Sequence, residues 1–259
     1  MKNNKVMSDN PLDTIVYNGG YCSIFKTIGC IGDSLSSGEF ESVDEFGNMA
    51  YHDWYEYSWG QCLARHAGNK VYNFSRGGMT AKEYMESFAE ERDFWAEDKK
   101  CQAYIIALGV NDLLNFRWEI GSINDINKDD YTKNALTFAG YYAQIIQRLK
   151  LIQPRAKFFL VTMLPQGYWF DEGEKIKQAH RDLLADMCAH FDNTYLIDLF
   201  TYGPACDEKF REQYFLGGHM SPMGYLHFAE LIESYMDYII RSNPRDFADV
   251  CFIGTELKR

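Results

Sequence analysis

Short β-prone apolar runs alternate with longer helical patterns along this chain, and that alternation limits the folds open to it. The runs are Lys26–Ile31, Val71–Phe74, Ala103–Leu108, Lys157–Met163 and Thr194–Asp198. Each is nearly continuous in apolar side chains, as strands covered on both faces are. The stretches between them carry helix signals. Ser58 to Ala67 stops at Gly68, and Thr80-Ala81-Lys82-Glu83 has capping-box spacing. Tyr131 to Leu151 and Glu174 to His190 keep a helical apolar period. Ser221-Pro222 offers an N-cap and a first-turn proline for a last helix ending near Arg241. Five β-then-α units in series predict a parallel, doubly wound sheet in one α/β domain, with helices on both faces. The domain is expected over 21–243, between an N-terminal tail, 1–20, and a C-terminal tail, 244–259. Residues 115–130 read as a partly irregular insertion.

Composition narrows the function classes. The net charge of −11 argues against nucleic acid or an anionic membrane as partner, since both require basic patches. No apolar run approaches the ~20 residues needed to span a bilayer. Met1 to Asn10 is polar and lacks the apolar core of a signal peptide, so a cytoplasmic location is expected. The seven cysteines are odd in number, scattered and without a Cys-x-x-Cys pair, which predicts free thiols in a reducing compartment. The six histidines form no His-x-x-x-His pair, so a helical zinc site has no support.

The chemistry collects where the strands end. The first run leads into Gly32-Asp33-Ser34-Leu35, the second into Asn73-Phe74-Ser75-Arg76-Gly77-Gly78, and the third into Gly109-Val110-Asn111-Asp112. The loop after the fifth leads to Gly217-Gly218-His219. In a parallel sheet all strand C-termini share one edge, so these distant residues can meet in one crevice. A serine hydroxyl becomes a competent nucleophile when a neighbouring base takes its proton, and neutral imidazole suits that task near pH 7. Acyl transfer also needs N–H donors for the developing oxyanion. Ser34 N–H, the backbone N–H of Gly78 and the side-chain amide of Asn111 are candidates.

This ordered set resembles the GDSL, or SGNH, hydrolases, from about Lys26 to Arg241. The first block is Gly32-Asp33-Ser34-Leu35, the second block's glycine is Gly78, Gly-x-Asn-Asp is Gly109-Val110-Asn111-Asp112, and the last block's histidine is His219. The resemblance implies a three-layer α/β/α, flavodoxin-like fold with a five-stranded parallel sheet in order 2-1-3-4-5. It implies a serine hydrolase cleaving carboxylic esters, with Ser34 and His219 catalytic and Ser34, Gly78 and Asn111 forming the oxyanion hole. The expected partner is a small-molecule ester, and no metal or cofactor is called for. A small acyl group or a carbohydrate ester is the preferred substrate. An acetyltransferase on the same site and a non-catalytic binding module are the alternatives.

One departure stands out. The family usually writes Asp-x-x-His in its last block, and here Leu216 lies three residues before His219. In one reading a main-chain carbonyl orients the imidazole instead, leaving a Ser-His dyad. Otherwise an acid such as Glu212, Asp207, Glu208 or Asp198 reaches in, or strong catalysis has been lost. Asp33 and Asp112 are expected to hold loops through hydrogen bonds. Glu39 and Glu41 lie either near the cleft or in solvent, with solvent favoured. Phe116, Trp118, Tyr168, Trp169 and Phe170 are candidates for an aromatic wall.

Overall fold

The computed structural model describes residues 10–167 and 170–257. Strands β1 (Thr27–Gly32), β4 (Lys70–Ser75), β5 (Ala103–Ala107), β6 (Lys157–Val161) and β7 (Thr194–Ile197) form a parallel sheet in order β4-β1-β5-β6-β7. Counted among themselves, these strands have the order 2-1-3-4-5. Each overlaps the apolar run that predicted it. Two short antiparallel pairs lie outside the sheet: β2 (Glu39–Val43) with β3 (Met49–Asp53), and β8 (Phe215–Leu216) with β9 (His219–Met220).

Alternation along the strands sends side chains into two cores. Tyr104, Ile106, Phe158 and Leu160 face one layer, made of α3 (Ala81–Glu83), α4 (Ala89–Glu91), α5 (Phe138–Ile152) and α6 (Phe170–His190). Ala103, Ile105, Phe159 and Val161 face the other, made chiefly of α2 (Trp59–Ala67) and α9 (Pro222–Ser242). Three short helices complete the chain: α1 (Ser34–Ser37), α7 (Leu199–Tyr202) and α8 (Glu208–Tyr214). Residues near both ends also pack on the second core, through Ile15 before the sheet and Phe247, Val250 and Ile253 after α9. Among the described residues, no helix is long and apolar enough to cross a membrane. All seven cysteines are free thiols.

Several helix signals act as read. The Ser58 hydroxyl accepts from Gln61 N–H to start α2, Thr80 accepts from Glu83 N–H, and Ser221 accepts from Gly224 N–H to start α9. The helix expected from Tyr131 starts later. Tyr131–Lys133 is a single 3₁₀ turn, and Thr137 caps α5 by accepting from Gly140 N–H. The Asn134 side chain causes the break: its amide donates to Gly140 O and Gln147 Oε1, which holds residues 134–137 out of helical register. The insertion is irregular as expected, with a boxed 3₁₀ turn at Ile123–Asp125.

Phe159 is fully buried in the second core, with the rings of Phe25, Tyr195 and Phe247 around it. Phe159→Ala is expected to cost about 3–5 kcal/mol of stability in urea unfolding. Phe46→Ala, at the exposed tip between β2 and β3, should stay within about 0.5 kcal/mol.

Candidate functional site

The sheet is wound outward from β1 in two directions, to β4 on one side and β5 on the other. Loops that leave neighbouring strands toward opposite faces open a crevice between them, at the carboxyl ends of the strands. Here the crevice is a cavity of about 450 Å³ whose wall includes Ser34, Gly78, Asn111 and His219. All four residues singled out in the sequence therefore meet in one place.

Each arrives by local rules. β1 ends at Gly32, and Asp33 caps α1 by accepting from Leu35 N–H at 3.0 Å, which places Ser34 in the first turn. β4 leads into a turn closed by Met79 N–H on Arg76 O, with Gly78 at φ +72°, a left-handed conformation that a Cβ would strain. β5 leads to Asn111 in a short π turn. Asn111 Nδ2 donates one proton to Met79 O at 3.1 Å, and its Oδ1 accepts from Asn115. An amide nitrogen carries two protons, so one bond to Met79 O leaves Asn111, which borders the cavity, a second donor. The loop is braced from beneath by fully buried His180. Burial lowers its pKa to about 4, so it is neutral, and its Nε2–H donates to Leu108 O at 3.1 Å.

His219 lies on β9, opposite Leu216 on β8. Its Nδ1 is 2.7 Å from Glu41 Oε1, and its Nε2 is 3.2 Å from Glu39 Oε1. Tyr51 places its ring edge-on to the imidazole, with centroids 6.0 Å apart. Among the described residues, no hydrogen bond joins Ser34 to His219, and the neighbour of Nε2 is the Glu39 carboxylate. Burial raises the Glu39 carboxyl's pKa, His219 opposes the rise, and Asp53 and Glu41 add to it.

The expectation that Glu39 and Glu41 are solvated is therefore overturned: each side chain is only 14% exposed. The partner of Nδ1 is neither a main-chain carbonyl nor one of the four acids considered. Asp198 pairs with Arg181 Nε at 2.8 Å, and Asp207 caps α8. Glu41 was missed because it comes from the β2–β3 hairpin, a unit absent from the expected elements. Its signal was present. Glu39-Phe40-Glu41-Ser42-Val43 and Met49-Ala50-Tyr51-His52-Asp53 flank a turn containing Gly47, a hairpin pattern.

Asp33 and Asp112 hold loops as expected, Asp112 Oδ1 accepting from Ala81 N–H at 2.9 Å. Phe116 and Trp118 stack on each other, centroids 5.6 Å apart, and neither borders the cavity. Tyr168 and Trp169 lie outside the described residues, as does the side chain of Phe170. Among the described residues the cavity wall includes the aliphatic side chains of Leu108, Leu114, Val161 and Met163 and the rings of Phe215 and Phe228, together with polar and charged groups such as Thr162, Lys177 and Arg211.

Burial raises the pKa of Asp33 to about 6 and that of Asp112 to about 7. Asp112 Oδ2 is buried without a hydrogen-bond partner. A carboxyl whose folded pKa exceeds its unfolded one binds more protons when folded, so its contribution to stability falls as pH rises between the two values. Folding stability should therefore carry a declining component from about pH 4 to about pH 7. Asp112→Asn, which keeps an acceptor for Ala81 N–H, should remove the Asp112 share of that component in urea titrations run across this range, leaving the share that Asp33 contributes below about pH 6.

No curated protein matches the chain by sequence. Solved structures resemble it in fold. TesA is 17% identical, with a TM-score of 0.56 over 82% of this chain and 99% of that one. A family 3 carbohydrate esterase from Clostridium thermocellum is 16% identical, with a TM-score of 0.52 over 83% and 97%. A family two carbohydrate esterase from the same organism, in complex with cellohexaose, is 16% identical, with a TM-score of 0.56 over 85% of this chain and 65% of that one. A family model matches residues 30–227, most of the chain, and by that match the protein belongs to the GDSL-like lipase/acylhydrolase family of ester-hydrolysing enzymes.

Proposed function

We propose that the protein is a serine hydrolase that cleaves carboxylic esters through an acyl-enzyme on Ser34. The observation that carries this reading is the convergence of Ser34, Gly78, Asn111 and His219 on one largely apolar cavity. A nucleophile, a base and oxyanion donors that meet beside an apolar pocket suit acyl transfer.

His219 Nε2 takes the proton of Ser34 Oγ as the oxygen attacks the ester carbonyl. The carbonyl π electrons move to oxygen, and the oxyanion accepts from Ser34 N–H, Gly78 N–H and the second Asn111 Nδ2 proton. The intermediate collapses, the C–O bond to the alcohol breaks, and the proton on Nε2 goes to the departing oxygen. Water then attacks the acyl carbon, giving its proton to Nε2. Collapse of the second intermediate returns that proton to Ser34 Oγ and releases the acid.

The acyl chain occupies the aliphatic wall of Leu108, Leu114, Val161 and Met163, while the alcohol leaves on the His219 side. This cavity gives room to more than an acetyl group. Each methylene buried is worth about 0.8 kcal/mol, so kcat/KM for p-nitrophenyl butyrate should exceed that for the acetate by about tenfold.

Ser34→Ala should abolish turnover of p-nitrophenyl acetate, and the wild-type protein should be labelled at Ser34 by a fluorophosphonate. Undiminished turnover in the variant would sink the assignment. Asn111→Ala should lower kcat by roughly 10²–10³.

A further inference from the structure

We propose that Glu41 is the positioning carboxylate of His219, delivered from the β2–β3 hairpin on the far side of the cleft. The proposal rests on the serine-hydrolase reading above. Three independent features place the carboxylate there.

The first is the contact itself. Glu41 Oε1 accepts from two donors, Gly218 N–H at 2.8 Å and His219 Nδ1 at 2.7 Å. A carboxylate at Nδ1 holds the proton on that nitrogen. In the neutral ring this leaves the lone pair on Nε2, the atom that must receive the Ser34 proton. It also stabilises the imidazolium formed after that transfer.

The second is the space made for it. A Cβ on Gly217 would lie 2.1 Å from Glu41 Oε2, and one on Gly218 would lie 2.6 Å from Oε1. The two glycines before His219 therefore admit a side chain from another element. The Arg211 guanidinium holds this turn by donating to Gly217 O at 3.0 Å. Leu216, three residues before His219, is half exposed and takes no part.

The third is the hairpin's attachment to the nucleophile. Phe40, between the two glutamates, points the other way and is buried against Trp54, Tyr57 and Tyr225, with centroids 5.4–5.7 Å apart. Tyr225 O–H donates to Glu39 O at 2.8 Å, with Ser34 O 3.3 Å away. Ser37 Oγ donates to Asp53 Oδ1 at 2.6 Å, and Trp54 N–H to Gly38 O at 2.9 Å. The strand that carries Glu41 is thus fixed to the helix that carries Ser34.

Glu39 has a different part. Two residues before Glu41 on the same face of β2, it meets the opposite nitrogen, the atom that must receive the Ser34 proton. Its carboxylate also lies against Gly77, where a Cβ would be 1.8 Å from Oε2. Glu39 must leave Nε2 for the reaction to begin, whereas Glu41 stays on Nδ1 throughout.

The test compares Glu41→Gln, Glu41→Ala, Gly218→Ala and Glu39→Ala, each checked for a native unfolding transition. Both Glu41 variants should lose about 10²–10⁴ in kcat and in the rate of Ser34 labelling by a fluorophosphonate, with KM within about threefold. Formate should restore part of the activity of Glu41→Ala and none to Ser34→Ala. Gly218→Ala, whose methyl would displace the carboxylate, should lower kcat in the wild-type background and add little in the Glu41→Ala background. Glu39→Ala should label faster, because it frees Nε2. If Glu41→Ala keeps kcat within about threefold of wild type while Ser34 still labels, the assignment of Glu41 fails and the esterase reading stands. If Glu39→Ala loses as much as Glu41→Ala, His219 needs only negative charge nearby, and the positioning role is overturned. If Ser34 does not label and Ser34→Ala retains turnover, both readings fall.

Discussion

The reversal of winding beside β1 is the constraint on which the site depends. The chain leaves β1 for β4 and then crosses back to β5 on its other side. Right-handed crossovers put α2, in the connection from β1 to β4, on one face and α3 and α4, in the connection from β4 to β5, on the other. Between β1 and β5 the departing loops therefore diverge, and the sheet's own hydrogen bonds hold open a crevice that no side chain has to maintain. Ser34 and Asn111 leave the two strands that border this gap, and Gly78 leaves the neighbour of one of them.

This arrangement separates rigid parts from adaptable ones. The strands behind Ser34 and Asn111, β1 and β5, are paired on both sides, and the edge strand β4 behind Gly78 is paired along its length with β1, so all three residues leave a rigid frame. Asp33 and Asp112, buried and with raised pKa, tie the loops to the frame. His219 stands differently. It sits on a two-residue strand outside the sheet, and its position is set by side chains that come from far along the chain.

That contrast explains what could be read from sequence. The strands were legible because a strand buried on both faces must be apolar throughout, and Tyr104-Ile105-Ile106 or Phe158-Phe159-Leu160 has few other uses. Ser34, Gly78, Asn111 and His219 were legible because a parallel sheet sends every strand end to one edge. Glu41 was not, because no periodicity links position 41 to position 219. A half-exposed hairpin leaves only a weak alternation, and glutamates two apart on it look like a solvated face. The late start of α5 was hidden for a related reason. The apolar period runs on through Ala135 and Leu136, and the break comes from Asn134 satisfying Gly140 O and Gln147 through its side chain.

The glycine pair before His219 shows how such a long-range partner can still mark the sequence. Glycine costs conformational entropy, and two in succession beside a reacting residue weaken the turn that positions it. Gly217 has a left-handed backbone, φ +70°, which accounts for one of them. Gly218 does not, so a turn alone leaves it unexplained. It becomes explicable when its missing side chain is seen as the space Glu41 Oε1 enters to reach both the Gly218 N–H and the imidazole. A carboxylate supplied by the residue three before His219 would approach from within its own loop and need no such gap. Leu216 in place of an acid, the glycine at 218 and the glutamate at 41 are therefore mutually consistent: an imidazole held by a tertiary contact needs a gap beside it and no acid three residues earlier.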